Sequence, residues 1–266
     1  MAQFHVVTGE SARPAHPAIR IVGIGDIRYA LRKGWEDFMA CPTQLFFLCL
    51  IYPVVGLALG RLAFGAAVLP LLFPLMAGFA LIGPIAAVGL YEISRRREAG
   101  LDASWRNAFD VRKSPSIGAI AGLGIVLMVL FLAWLYTAQA IYQSLFGWNA
   151  PDDIRAFLHQ VFTTGAGWKL IVYGNLAGFL FALASFLIGA VSFPMLLDRD
   201  VGAAVAVETS IRAAIANPVP MAIWGLVIAA LLAIGSLPFF VGLAVVMPVL
   251  GHATWHFYRR IVARDI

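Results

Sequence analysis

RAAIANPVPMAIWG, residues 212–225, runs from a basic, alanine-rich helical pattern through Asn-Pro straight into an apolar run. RKGWEDFMACPTQLFF (32–47) and RNAFDVRKSPSIGAIA (106–121) keep the same order: amphipathic segment, small polar residue, proline, hydrophobic run. Proline lacks an N–H and fixes φ, so it suits the first turn of a helix and breaks an interior. Each X-Pro step therefore marks the end of one helix and the start of the next, and three such steps predict three copies of one unit.

Alignment on Pro42, Pro115 and Pro218 sets the register. Leu31, Trp35, Phe38 and Met39 of the first copy stand at the same distances from the proline as Val207, Ile211, Ala214 and Ile215 of the third. That spacing is an apolar stripe of helical period, expected to face the bundle or the acyl region. The middle copy is looser, with Trp105, Ala108 and Phe109 on one face and Arg112 where an apolar residue is expected. Asp26 and Asp102 are the expected N-caps of the first two short helices, and Ser114-Pro115 and Asn217-Pro218 each place a capping residue before a proline.

What surrounds these units follows from composition. The 266 residues are 61% hydrophobic and only 12% charged, with a mean hydropathy of +0.87, whereas a soluble domain is roughly half apolar and a quarter charged. The sequence is that of an integral membrane protein. The first 25 residues lack the continuous apolar core and cleavage site of a secretory signal, so insertion is expected to use the first span itself. Cys41 and Cys49 form no CxxC or Cys/His grouping, which indicates packing residues rather than a disulfide framework or zinc site.

Uncharged apolar stretches of about 20 residues, the length that crosses ~30 Å of hydrocarbon, occur near 43–61, 67–91, 116–140, 169–196, 219–235 and 236–256. Pro238 supports a break between the last two. With six spans, 16 of the 19 Lys and Arg residues fall on one side, leaving Arg61, Arg155 and Lys169 on the other. Cytoplasmic loops carry such an excess, so both termini are expected in the cytoplasm. The net charge of +5 is then explained by anionic headgroups, without nucleic acid.

The expected fold is all-α: six transmembrane helices in three parallel repeats, each an amphipathic interfacial helix followed by a transmembrane hairpin. The repeats cover about 26–99, 100–199 and 200–266, forming a single transmembrane domain (26–266) behind a flexible cytoplasmic tail (1–25). Between the third and fourth spans, GWNAPDDIRAFLHQVFTTGAGWK (147–169) is the one sizeable noncytoplasmic element. Within it Ile154, Phe157, Leu158, Val161 and Phe162 have helical spacing and predict a helix lying flat on the membrane. Gly56/Gly60, Gly118/Gly122 and Gly174/Gly178 are small-residue pairs suited to close helix packing within the bundle.

The spans hold little chemistry. Gln139, Gln143, Tyr173 and Asn175 are the polar residues at depth, and none is charged, whereas proton relays and ion-coupled carriers usually place ionisable groups inside the bilayer. Charges gather instead where even-numbered spans leave the membrane: LYEISRRREAG (90–100), PMLLDRDVG (194–202) and GHATWHFYRR (251–260). Their equivalent positions predict that Glu92, Asp198, Asp200, His252 and His256 converge as a polar cluster at the cytoplasmic end. His252 and His256 share a helix face, a spacing compatible with a two-histidine metal site or with hydrogen bonding and anchoring at an interface. Arg95, Arg96, Arg97, Arg259 and Arg260 are expected to contact headgroups or a partner. No phosphate loop, nucleotide fingerprint or Ser/His/Asp order is present.

IGPIAAVGLYEISRRREAG, SFPMLLDRDVGAAVAVETSIRAAIANP and PVLGHATWHFYRR resemble the characteristic segments of a bacterial integral-membrane family, the domain of unknown function 2189, from about Asp26 onward. The resemblance implies an inner-membrane protein of bacteria with no accepted activity. Residues and resemblance together lead to the expectation of a noncatalytic scaffold or accessory subunit, without cofactor or metal, that contacts anionic lipid and a membrane-protein partner. A transporter or channel with a pseudo-threefold path is the alternative.

Overall fold

The computed structural model describes residues 17–41, 69–148, 151, 153–237 and 241–263. Among them 84% are helical and none is in a strand. The first expected span (43–61), Cys49, Gly56/Gly60 and Pro238 lie outside the described residues.

The first helix, α1, covers Ile24–Ala40. Its cap differs from expectation: Gly23 precedes the first turn, and the Gly23 N–H donates to Asp26 Oδ2 at 2.9 Å, so Asp26 acts from the third helical position. The buried face also differs from the apolar stripe. Ile27, Ala30, Gly34, Asp37 and Phe38 turn inward, while Trp35 and Met39 are exposed. Close packing is the reason. A Cβ at Gly34 would stand 2.6 Å from the Ala253 backbone nitrogen, so glycine is required at that point of the inner face.

After α1 come α2 (Leu69–Gly78), a 3-10 turn (Phe79–Ile82), α3 (Gly83–Ala86) and α4 (Val88–Glu98). The second amphipathic element, Trp105–Lys113, is a 3-10 helix begun by Ser104, whose N–H donates to Asn107 Oδ1 at 2.8 Å. Asp102 is not its cap; its carbonyl accepts from Arg96 Nε at 2.8 Å. Then follow α5 (Ile117–Phe146), α6 (Ile154–Thr163), α7 (Gly165–Gly189), α8 (Ser192–Asp198), α9 (Gly202–Ala216), α10 (Pro218–Ser236) and α11 (Leu243–Ile261). On α9 the buried face is Ala206, Thr209, Ser210 and Ala213, with Ile211 and Ile215 exposed. Counted back from the aligned prolines, Ala206, Ser210 and Ala213 match Ala30, Gly34 and Asp37.

Among the described residues four stretches are long and apolar enough to cross a membrane: Phe73–Glu98, Ile117–Phe146, Gly165–Asp198 and Pro218–Ser236. They coincide with the second to fifth expected spans. In their most apolar windows only 17–31% of residues are buried, so most of these apolar side chains face outward. Hydrocarbon is the solvent that makes such exposure favourable, and helices satisfy their own backbone groups there.

The sixth expected span behaves differently. From Leu250 to Ile261, α11 carries His252, His256, Arg259 and Arg260, yet most of these positions are buried. Its polar half faces protein rather than lipid, which keeps the helix from reaching the apolarity of the other four. α10 and α11 form a hairpin whose turn is tight at Gly235 and Gly242, where a Cβ on Gly242 would lie 2.8 Å from the Gly235 carbonyl oxygen. Both outer ends of the hairpin meet residues 18–22. Val22 N–H donates to Asn217 Oδ1 (2.8 Å), Asn217 Nδ2 donates to the Arg20 carbonyl (3.1 Å), and Arg20 N–H donates to the Ile261 carbonyl (2.7 Å). Asn217 therefore holds the N-terminal segment instead of capping α10.

The chain groups into two compact units, the first of Met1–Ile51, Pro84–Gly124 and Phe186–Ile266, the second of Tyr52–Gly83 and Ile125–Ser185. In the second, Leu81, Trp134 and Ala138 form a core joined by Phe131 and Phe181. Trp134 Nε1 donates to the Pro74 carbonyl at 2.9 Å and Ser185 Oγ to the Leu81 carbonyl at 2.7 Å, as buried polar groups require. Gly178 packs against Trp134, whereas a Cβ at Gly118, Gly122 or Gly174 would meet nothing within 4 Å. Those three glycines do not perform the internal packing expected of them among the described residues.

Candidate functional site

In the first unit the three span ends lie together. α4 is in contact with α8 and α11, and α8 with α11. On α4, Ser94 and Glu98 are one turn apart; on α11, His252, Trp255, His256 and Arg259 share a face. Ser94 meets His252, while Glu98 meets Trp255 and Arg259. Rising numbers on one helix match rising numbers on the other, so α4 and α11 run parallel. A Cβ at Gly251 would come 2.3 Å from Leu90 Cδ1, so glycine permits the approach. α1 runs antiparallel along α11, with Asp26 beside Arg260 and Gly34 beside Ala253.

Asp37 is the centre of the first polar group. Its Oδ2 accepts from Ser94 Oγ at 2.6 Å and faces His256 Nε2 at 2.8 Å, and its Oδ1 accepts from Arg97 Nε at 2.8 Å. Burial works to raise the Asp37 pKa, but the hydrogen bonds from His256 and Ser94 and the histidine charges outweigh it and hold the carboxyl below its ordinary range. Ser94 has one hydroxyl proton and gives it to Asp37, so its oxygen accepts from His252 Nδ1–H at 2.8 Å. This assigns the tautomer of His252 and leaves its buried Nε2 without a hydrogen-bond partner among the described residues.

The second polar group lies along the same helices. Arg259 bridges Glu98 of α4 (3.2 Å) and Asp198 of α8 (2.8 Å), Tyr258 Oη donates to Asp198 at 2.6 Å, and Trp255 Nε1 donates to Glu98 at 2.9 Å. Arg199 pairs with Asp198 at 3.8 Å and donates to the Ala263 carbonyl. The span ends are thus joined by charge-assisted bonds, each stronger than a neutral one.

The expected site residues fall into three sets. His252 and His256 both join the group around Asp37, whereas Asp198 belongs to the separate group around Arg259. Glu92 is fully buried but turns to its own helix, held by Arg95 at 2.7 Å. Asp200 is exposed and accepts from Ser116 Oγ at 3.1 Å, away from the histidines. The arginines engage carboxylates: Arg95 with Glu92, Arg96 with Asp110 (3.5 Å), Arg97 with Asp37, Arg259 with Glu98 and Asp198, and Arg260 with Asp26 (2.5 Å). Residue spacing alone missed Asp37, Ser94, Glu98, Trp255 and Tyr258. Asp37 carried a signal, since it stands at the register of Ala213 on α9.

As chemistry, the arrangement is closed. Ser94 and His252 are wholly buried, and the Ser–His–Asp contact is enclosed by the described residues. Burial pushes the Cys41 thiol upward, away from a reactive thiolate. No group of three or more His, Cys, Asp or Glu side chains is arranged for a metal ion among the described residues.

Several long apolar helices whose side chains are mostly exposed define a polytopic helical membrane protein. Within that class, residues 72–198 match the model of the family described as "Predicted integral membrane protein (DUF2189)". The match covers the second to fourth expected spans and ends at Asp198, so GHATWHFYRR lies beyond it. No curated protein and no solved structure matches the chain.

Proposed function

We propose that the protein is a noncatalytic scaffold or accessory subunit of the bacterial inner membrane, crossing it six times in three parallel repeats with both termini in the cytoplasm. The observation that carries this reading is the inward consumption of polar chemistry. Asp37, Glu92, Glu98 and Asp198 are matched by arginine, histidine, serine or tyrosine from neighbouring turns and helices. Such a junction fixes register between helices, the best-attested use of buried ion pairs.

Parallel α4 and α11, each beside an amphipathic element, support the repeat. The α10–α11 hairpin supports an even span count, because its two ends meet the same segment. The faces left for partners are those of α1, the 105–113 helix and α9. There Trp35, Met39, Trp105, Phe109 and Ile215 are exposed beside exposed Arg28, Arg106, Arg112 and Arg212. Apolar side chains flanked by arginine suit an anionic membrane surface and a membrane-protein partner docked on it. A transport path has less support: Tyr173 and Asn175 lie on the outside of α7, whereas Gln139 Oε1 is buried and without a hydrogen-bond partner among the described residues.

Photo-crosslinking in cells from position 35 or 105, with identification of adducts, tests the reading. One stoichiometric membrane-protein adduct, lost when Trp105 and Phe109 become serine, is expected. Solute flux in proteoliposomes, abolished by blocking the span ends, would overturn it in favour of transport.

A further inference from the structure

The noncytoplasmic helix α6 plays no part in the polar junction, yet it is the most sharply two-sided helix of its unit. Asp153 caps it, accepting from Ala156 N–H at 2.7 Å. One edge of its apolar arc is used: Phe157 packs on Tyr142 with ring centroids 6.2 Å apart, and Val161 is buried. The other edge is Ile154, Leu158 and Phe162, four residues apart and 54%, 46% and 59% exposed. Arg155, His159 and Thr163 form a polar stripe beside it.

We propose that Ile154, Leu158 and Phe162 seat α6 in the acyl–headgroup boundary of the leaflet opposite the 95–113 segment. Continuity identifies the occupant. α6 ends at Thr163 and α7 begins at Gly165, and the corner is so tight that a Cβ on Gly167 would stand 2.1 Å from the Val161 carbonyl oxygen. The exposed apolar faces of α5 and α7, including Leu132, Tyr136, Val172 and Leu176, already require hydrocarbon. Through Thr164, α6 is joined directly to the helix that carries part of that surface. Trp148 and Trp168, both exposed, flank the helix as aromatic residues do at a membrane interface. Asp152, Asp153, Arg155 and Lys169 cancel in charge, so attachment is apolar and does not depend on anionic lipid.

Nitroxide labels at 154, 155, 158, 159 and 162, in a chain with Cys41 and Cys49 replaced by serine, test this in phosphatidylcholine nanodiscs. Oxygen should relax labels at 154, 158 and 162 severalfold more than a water-soluble nickel chelate does, with the order reversed at 155 and 159. Adding anionic lipid should leave the pattern unchanged. Equal access of the chelate to all five positions would overturn the proposal in favour of a water-exposed helix. Labels at 154, 158 and 162 shielded from both agents would overturn it in favour of a protein contact, either a second copy or another chain. A benzophenone amino acid at position 158, with both cysteines retained, provides the independent check: adducts to lipid are expected, and adducts to protein contradict the proposal.

Discussion

Asp37 and His256, 219 positions apart in sequence, are joined at 2.8 Å in the interior of the first unit. The bond ties the amphipathic helix α1 to the last helix described, α11. Arg97 and Ser94 bring α4 to the same carboxylate. A single side chain therefore fixes three elements, and its loss leaves a guanidinium, an imidazole and a hydroxyl without their acceptor.

Asp37→Ala is expected to destabilise the detergent-solubilised protein by roughly 3–5 kcal/mol, the usual cost of breaking a buried charged pair. Denaturant unfolding followed by tryptophan fluorescence checks it, and a loss under about 1 kcal/mol, the range of an exposed pair, would place Asp37 at the surface.

The same carboxyl gives the pH dependence its sign. Held below its ordinary range in the fold, it contributes stability that is complete above the unfolded value of about 3.9 and is lost as pH falls through the folded value. Asp26 is also held low: burial opposes the shift, and the Gly23 N–H and Arg260 outweigh it. Being more exposed, Asp26 should lose its share in high salt. Thermal unfolding between pH 3 and 6 (about the carboxylate range) should show an acid limb that Asp37→Asn flattens at any salt concentration.

At Gly34, α1 approaches the backbone of α11. A methyl group there meets the Ala253 backbone at 2.6 Å and the Val249 carbonyl oxygen at 2.7 Å, neither of which can rotate away. Gly34→Ala is expected to cost about 1–3 kcal/mol by overpacking, despite the better helix propensity of alanine. The same substitution at Gly118, where a Cβ meets nothing, is expected to be neutral in the same unfolding experiment.

Topology gives a further test. Reporter fusions within 95–113 and within 153–164 should report opposite sides of the membrane, because a single long apolar helix, α5, separates them. A shared side would contradict the six-span reading.

Hydropathy was legible because lipid reads composition directly: the four apolar stretches among the described residues stand where length and charge placed them. The charged ends of 88–98, 192–198 and 243–261 were legible as polar segments, and these three helices are in contact. The inner faces of the amphipathic helices were not. Periodicity picks out Trp35, Met39, Ile211 and Ile215 as a stripe facing the bundle or the acyl region without deciding between them; these four are exposed, while Ala30, Gly34 and Ser210 are on the inner faces. Asp37 escaped notice as a charge on the inner face, between Gly34 and Phe38. Capping failed at Asn217 because a distant segment, residues 20–22, competes for its side chain.

A double-mutant cycle between Asp37 and His256 tests the central claim, that the polar junction holds helices together. Unfolding free energies of the parent protein, Asp37→Asn, His256→Gln and the double variant give the coupling directly. The account predicts about 1–3 kcal/mol of favourable coupling, the range for contacting residues within one network. Strictly additive losses, with zero coupling, would show that the two side chains do not support one another and would contradict it.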